Sequence, residues 1–148
     1  MNKIEKTLKK NEQALHSLVI FRRAANTIMK QEYETIKKHQ LTPGQFGVME
    51  ALYNKGELCI QDLVDKLLSS SGNMTVVIRN MIRDGYIYKK TDPSDRRSSL
   101  IGLTDLGRDR IEAILPEHYN NIARIFSVIE PDEHEQLSRI LRKFKKWM

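Results

Sequence analysis

The chain has 148 residues, 40% of them hydrophobic, which is enough for one core and is the usual size of a single domain. A formal net charge of +6, from 25 Lys and Arg against 19 Asp and Glu, favours a polyanionic partner. A lone cysteine, Cys59, excludes a disulfide framework or a Cys-rich zinc site; residues 1–10 are charged rather than apolar, and no apolar run approaches the ~20 residues of a membrane span. The expectation is a soluble, cytoplasmic protein of one domain, 1–148.

Residues 5–38 contain no proline or glycine, and Leu8, Leu15, Leu18, Ala25, Ile28 or Met29, and Ile36 recur at helical spacings, predicting one long amphipathic helix. Thr42 then serves as N-cap and Pro43 as first residue of a second helix carrying Phe46, Val48, Met49 and Leu52 and ending before Gly56. Residues 60–67 form a short helix with Ile60, Leu63, Val64 and Leu67 inward. Residues 68–72 make a polar turn, and 73–84 a further helix with Val77, Ile78, Met81 and Ile82 inward. After Gly85, residues 86–90 and 100–104 are β-prone runs flanking the charged segment 92–99, a hairpin with a basic tip. Thr104 or Asp105 caps the next helix, whose apolar positions run from Leu106 to Ile129, with a kink expected at Pro116. Pro131 opens a last helix, acidic at its start and basic at its end, as the helix dipole favours.

The fold class is therefore mainly α with a small β-hairpin wing, a winged helix-turn-helix. Long N- and C-terminal helices at about 1–40 and 108–148 enclose a DNA-binding region at about 41–107. A helix of about 30 residues extends ~45 Å, beyond a compact core of this size, so its apolar face calls for a partner: a second copy in a homodimer, with an intramolecular bundle as the alternative.

The DNA-binding surface follows from residue chemistry. The outer face of the 73–84 helix presents Asn73, Thr75, Val76 and Arg79. Asn and Arg can read adenine and guanine edges bidentately, and valine can meet a thymine methyl. Ser70 and Ser71 precede the helix, where a cap hydroxyl and free amides suit a phosphate. Lys89, Lys90 and Arg96 supply further phosphate contacts, and a tip arginine enters a narrow minor groove while Asp95 orients it by an ion pair.

Beyond these derivations, the series Leu41-Thr42-Pro43-Gly44-Gln45-Phe46, the segments 63–67 and 71–84, Gly85-Tyr86-Ile87, and Asp95-Arg96-Arg97 followed by Leu103-Thr104-Asp105-Leu106-Gly107 closely resembles the MarR family of bacterial regulators. The resemblance covers nearly the whole chain. It implies a homodimer, usually a repressor, on pseudo-palindromic double-stranded operator DNA, released by a small aromatic or phenolic compound or an oxidant. The stretch 68–75 looks like the branch responding to quinones and related electrophiles. By match to the family wing, Arg97 is the minor-groove residue, Asp95 its partner and Arg96 a backbone contact. Family analogy places an effector pocket between the dimer helices and the reading head, lined by Leu18, Phe21, Arg22, Phe46, Met49 and Tyr53.

This chain departs from the family's peroxide sensors in having no cysteine near the start of its first helix. Cys59, between Leu58 and Ile60, is expected to be a buried, inert thiol. The histidines, His16, His39, His118 and His134, form no i, i+4 pair, so neither metal nor cofactor is expected. No nucleophile triad or phosphate loop suggests an enzyme. The competing reading is a winged-helix module that binds protein through its wing and terminal helices.

Overall fold

The computed structural model describes residues 1–67 and 69–148, apart from the side chain of Ser71. The element order is α1 (Lys3–Lys10), α2 (Glu12–Lys38), α3 (Pro43–Lys55), β1 (Leu58–Cys59), α4 (Ile60–Leu67), α5 (Ser71–Arg83), β2 (Ile87–Asp92), β3 (Asp95–Leu103), α6 (Asp105–Phe126) and α7 (Pro131–Arg142), closing with a 3-10 turn at Lys143–Trp147. Contacts divide it into two compact units: residues 33–120, and residues 1–32 together with 121–148. The winged-helix unit thus takes in the end of α2 from Tyr33 and most of α6, through Asn120.

Within residues 33–120, α3 starts as the sequence predicts. Pro43 is at its first turn, the Thr42 hydroxyl accepts from Gln45 N at 3.1 Å, and the Gln45 side chain accepts from Thr42 N at 3.0 Å. The two orphan amides satisfied there hold the helix entry. Val48, Met49 and Leu52 then join Leu63 of α4, Met81 of α5, Ile87 of β2, Ile101 of β3 and Ile111 of α6 in one buried cluster. The sheet is antiparallel in the order β1-β3-β2. Ile87 and Ile101 face the core, which leaves the alternate residues Tyr88, Lys90 and Gly102 on the other face.

Helix α5 starts at Ser71, two residues earlier than expected, and its buried stripe differs from the sequence reading. Met74, Ile78 and Met81 are buried, Val77 is half-buried and Ile82 is exposed. The stripe therefore runs i, i+4, i+7 from Met74, a phase that the run Val77, Ile78, Met81, Ile82 leaves open. A third strand, β1, was not expected; it pairs Leu58 with Ile101 and Cys59 with Leu100. Helix α6 continues through Pro116. Proline there removes the amide that the Glu112 carbonyl would use, yet no break follows.

In the other unit the single long helix expected over 5–38 is two helices, parted at Asn11. The Asn11 amide nitrogen donates to Thr7 O at 2.8 Å and its backbone leaves helical geometry. A short polar side chain that bonds its own backbone competes with the helix at that point. Asn121 and Arg124 of α6 hold Gln31 of α2, through Gln31 O at 2.9 Å and Gln31 Oε1 at 3.0 Å. No residue of α1 or α7 is buried, and Ile4, Leu8, Phe21, Ile140 and Phe144 are exposed.

Candidate nucleic-acid interface

The helix-turn-helix is α4 and α5. Ser70 is the α5 N-cap: its hydroxyl accepts from Asn73 N at 3.1 Å. The hydroxyl hydrogen remains for a phosphate oxygen, so the cap and a phosphate contact are compatible. Asn73, Thr75, Val76 and Arg79 are all exposed along α5. The Asn73 side-chain nitrogen donates to Ser69 Oγ at 3.1 Å, which restrains the amide a base would meet. Ser69 thus serves the Asn73 amide, while the cap belongs to Ser70. The side chain of Ser71, the other serine singled out, lies outside the described residues.

The wing is longer and stiffer than a charged loop. β2 and β3 run into the segment 92–99 and leave only Pro93 and Ser94 to turn the chain. Asp92 Oδ1 accepts from Ser94 N at 2.9 Å and from Ser94 Oγ at 2.7 Å, closing that turn and holding the Asp92 carboxyl below its usual range. The register then slips: Thr91 pairs with Ser99, but Asp92 pairs with Asp95, so Arg96, Arg97 and Ser98 bulge from β3. A bulge bends its strand and re-aims side chains. Asp95 holds the bulge chiefly through the backbone, its Oδ1 accepting from Arg97 N at 3.0 Å, with the Arg97 Nε farther off at 3.9 Å. Arg97 is thereby presented with its side chain 98% exposed. Lys89 and Arg96 are exposed as well.

The base of the wing explains the Leu103-Thr104-x-x-Gly107 pattern. Thr104 Oγ1 donates to Gly85 O at 2.6 Å and accepts from Gly107 N at 3.0 Å, so one hydroxyl ties the end of the helix-turn-helix to the start of α6. Gly85 has φ 82°, a region that favours glycine. A Cβ at Gly107 would overlap the Tyr86 carbonyl. Lys90, in contrast to Lys89, is engaged: its ammonium lies 3.0 Å from Glu57 Oε2. Glu57 and Tyr88 were not singled out from the sequence. Tyr88 and Lys90 alternate on one strand, which was the available signal, but their partner on another strand was not visible.

The residues assigned to an effector site fall in both units. Leu18, Phe21 and Arg22 are exposed on α2. Met49 is sealed in the core, and Phe46 is buried with its ring centroid 4.5 Å from that of His118, so these two serve packing; Tyr53 is half-buried beneath the Arg108 guanidinium. Cys59 is half-buried rather than buried. Its Sγ accepts from Asp62 N at 3.4 Å and its own N–H donates to Asp62 Oδ2 at 3.3 Å, a reciprocal cap that places the thiol at the start of α4. Among the described residues no three His, Cys, Asp or Glu side chains are grouped to hold a metal, and no helix is long and apolar enough to cross a membrane.

This arrangement recurs in known proteins. The MarR family model matches residues 41–99, the span from the start of α3 into the wing. The chain is 37% identical to the HTH-type transcriptional regulator YkoM of Bacillus subtilis over 89% of its own length and 86% of that protein's. It is 31% identical to MhqR of the same organism over 89% and 91%. Its fold is similar to that of BpsR of Bordetella bronchiseptica, a protein whose DNA binding is regulated by 6-hydroxynicotinic acid, with a TM-score of 0.77, 28% identity and coverage of 91% and 94%. With the capped recognition helix, the bulged arginine wing and relatives that match along most of their length, this chain belongs to the MarR family and is a DNA-binding transcriptional regulator.

Proposed function

We propose that the protein acts in the cytoplasm as a homodimeric repressor that occupies a pseudo-palindromic operator and leaves it on binding a small aromatic or phenolic compound. The observation that carries the reading is the pairing of an exposed recognition face on α5 with an arginine wing in one winged-helix unit. Asn73, Thr75, Val76 and Arg79 read base edges in the major groove, Arg97 enters the minor groove, and Ser70, Ser71, Lys89 and Arg96 meet phosphates. Asp95 keeps the bulge in the shape that aims Arg97.

The terminal helices supply the dimer. α1 and α7 contain no buried residue while exposing Ile4, Leu8, Ile140 and Leu141, and apolar faces of that length are covered by a second copy in a two-fold arrangement. A dimer presents two recognition helices to two half-sites, which is what a pseudo-palindrome requires. Support for an aromatic effector is the regulation of BpsR by 6-hydroxynicotinic acid. Leu18, Phe21 and Arg22 of α2 are the side chains assigned to it, and binding lowers DNA affinity by favouring a geometry whose half-site spacing no longer fits.

Fluorescence anisotropy against the DNA upstream of its own gene and a scrambled duplex, at several salt concentrations, tests this. A preference for the upstream site that survives rising salt is the expected result. Arg97→Ala should weaken operator binding, leave the dimer intact and lower the dependence of log K on log salt by about one unit. Unaltered operator affinity in that variant would refute the wing assignment.

A further inference from the structure

We propose that Glu57 is a built-in restraint on DNA affinity, its carboxylate holding the Lys90 ammonium against the outer face of the wing sheet and away from a DNA phosphate. The inference rests on the reading of the wing as a DNA-contacting element and assigns to Lys90 a role opposite to the phosphate contact its position in the sequence suggests.

The arrangement is built by sheet register. Tyr88 pairs with Gly102 and Lys90 with Leu100 across β2 and β3, while Leu58 and Cys59 of β1 pair with Ile101 and Leu100. Glu57, one residue before Leu58, therefore comes beside Gly102 on the face shared by Tyr88 and Lys90. Gly102 has no side chain, and the Tyr88 ring lies across it; a Cβ there would overlap the Tyr88 hydroxyl. That hydroxyl reaches the Glu57 carboxylate, which also takes Lys90 Nζ at 3.0 Å. Glu57 is held below the usual carboxylate range by Lys90 and then by Tyr88, and Lys90 is held above the usual lysine range by Glu57, so both groups stay ionised at neutral pH.

An ammonium bonded to a carboxylate is locally neutral and releases no counterion from DNA. To reach a phosphate, Lys90 must leave Glu57, and the exposed carboxylate then repels the same backbone. Lys89 and Arg96 carry no such partner in the ion pairs of the described residues. One wing cation is thus withheld while its neighbours are offered.

The experiment is a salt-resolved anisotropy titration of the full-length protein on one operator duplex, with Glu57→Gln, Tyr88→Phe, Lys90→Ala and the Glu57→Gln/Lys90→Ala double variant. Glu57→Gln is expected to bind roughly two- to fivefold tighter, the range of an exposed ion pair, and to steepen the salt slope by about 0.9 as Lys90 joins the phosphate contacts. Tyr88→Phe should move the same way by less, and the gain should vanish in the double variant. Weaker binding by Glu57→Gln, or a gain that persists without Lys90, would overturn the restraint. So would a slope loss of about 0.9 for Lys90→Ala alone, which would make Lys90 a contact already. Arg97→Ala on the same duplex separates the two levels: if it binds as wild type does, the wing reading fails and the restraint fails with it.

Discussion

Replacing Thr104 by valine removes one hydroxyl and keeps the side-chain shape, so its effect measures the joint between the reading head and α6. Two bonds are lost, the 2.6 Å bond to Gly85 O and the 3.0 Å bond from Gly107 N. The second is an N-cap interaction, worth about 1 kcal/mol. The first leaves the Gly85 carbonyl without that donor at a half-buried site, a cost near the lower end of about 1–3 kcal/mol. The extra methyl is half-buried and returns only a few tenths of a kcal/mol. The sum is a loss of about 2 kcal/mol, or roughly 4–8 °C in the thermal midpoint of a chain this size. Circular dichroism melts of Thr104→Val and Thr104→Ser at one protein concentration supply the assay, because oligomer stability depends on concentration. Serine keeps the hydroxyl and should stay near wild type. If valine melts with wild type while serine falls, the methyl rather than the hydroxyl stabilises this joint and the reasoning is wrong.

Two further outcomes are expected. Glu117 lies 2.6 Å from Lys38 Nζ and 2.9 Å from His39 Nε2, and Lys38 first, then His39, holds its carboxyl below the ordinary 4.5. A depressed folded value contributes stability that is fully present above pH 4.5 and is lost as pH falls through the folded value. Glu117→Gln should therefore unfold at lower urea than wild type at pH 7, with the gap closing in the acid limb; a gap that is constant with pH would refute the assignment. In the terminal helices, Leu141→Glu places a charge on the exposed apolar face of α7 and should weaken self-association by at least roughly tenfold by sedimentation equilibrium, with operator binding lost in parallel. An unchanged dimer would mean that this face is not the interface.

Much of the fold could be read from spacing and caps. Helix α4 runs over Ile60–Leu67 as its apolar period implies, α3 opens at Pro43 behind Thr42, and α7 opens at Pro131. Each depends on residues three or four positions apart, and those interactions are formed within one or two turns of chain. The Asp95-Arg96-Arg97 wing was legible as a short charged pattern between two β-prone runs, whereas Gly107 was marked only through the family resemblance, and its joint with Thr104 and Tyr86 emerges from the fold.

What escaped such reading depends on partners distant along the chain. Strand β1 is two residues long, too short to show a period, and exists because Leu58 and Cys59 meet Ile101 and Leu100. The phase of α5, with Met74 inward and Ile82 outward, was settled by the core it packs against, since both phases look amphipathic in one dimension. The bulge at Arg96 and Arg97 arises from a register slip between two strands. Lys90 shows the difference most plainly: by composition it is a cation beside Lys89 and alike in kind, and a carboxylate 33 positions earlier, carried to within 3.0 Å by antiparallel pairing, sets it apart. Residue type and near-neighbour spacing specify which elements form and which charges they carry, whereas the availability of a given charge to DNA depends on the side chain that long-range strand pairing places beside it.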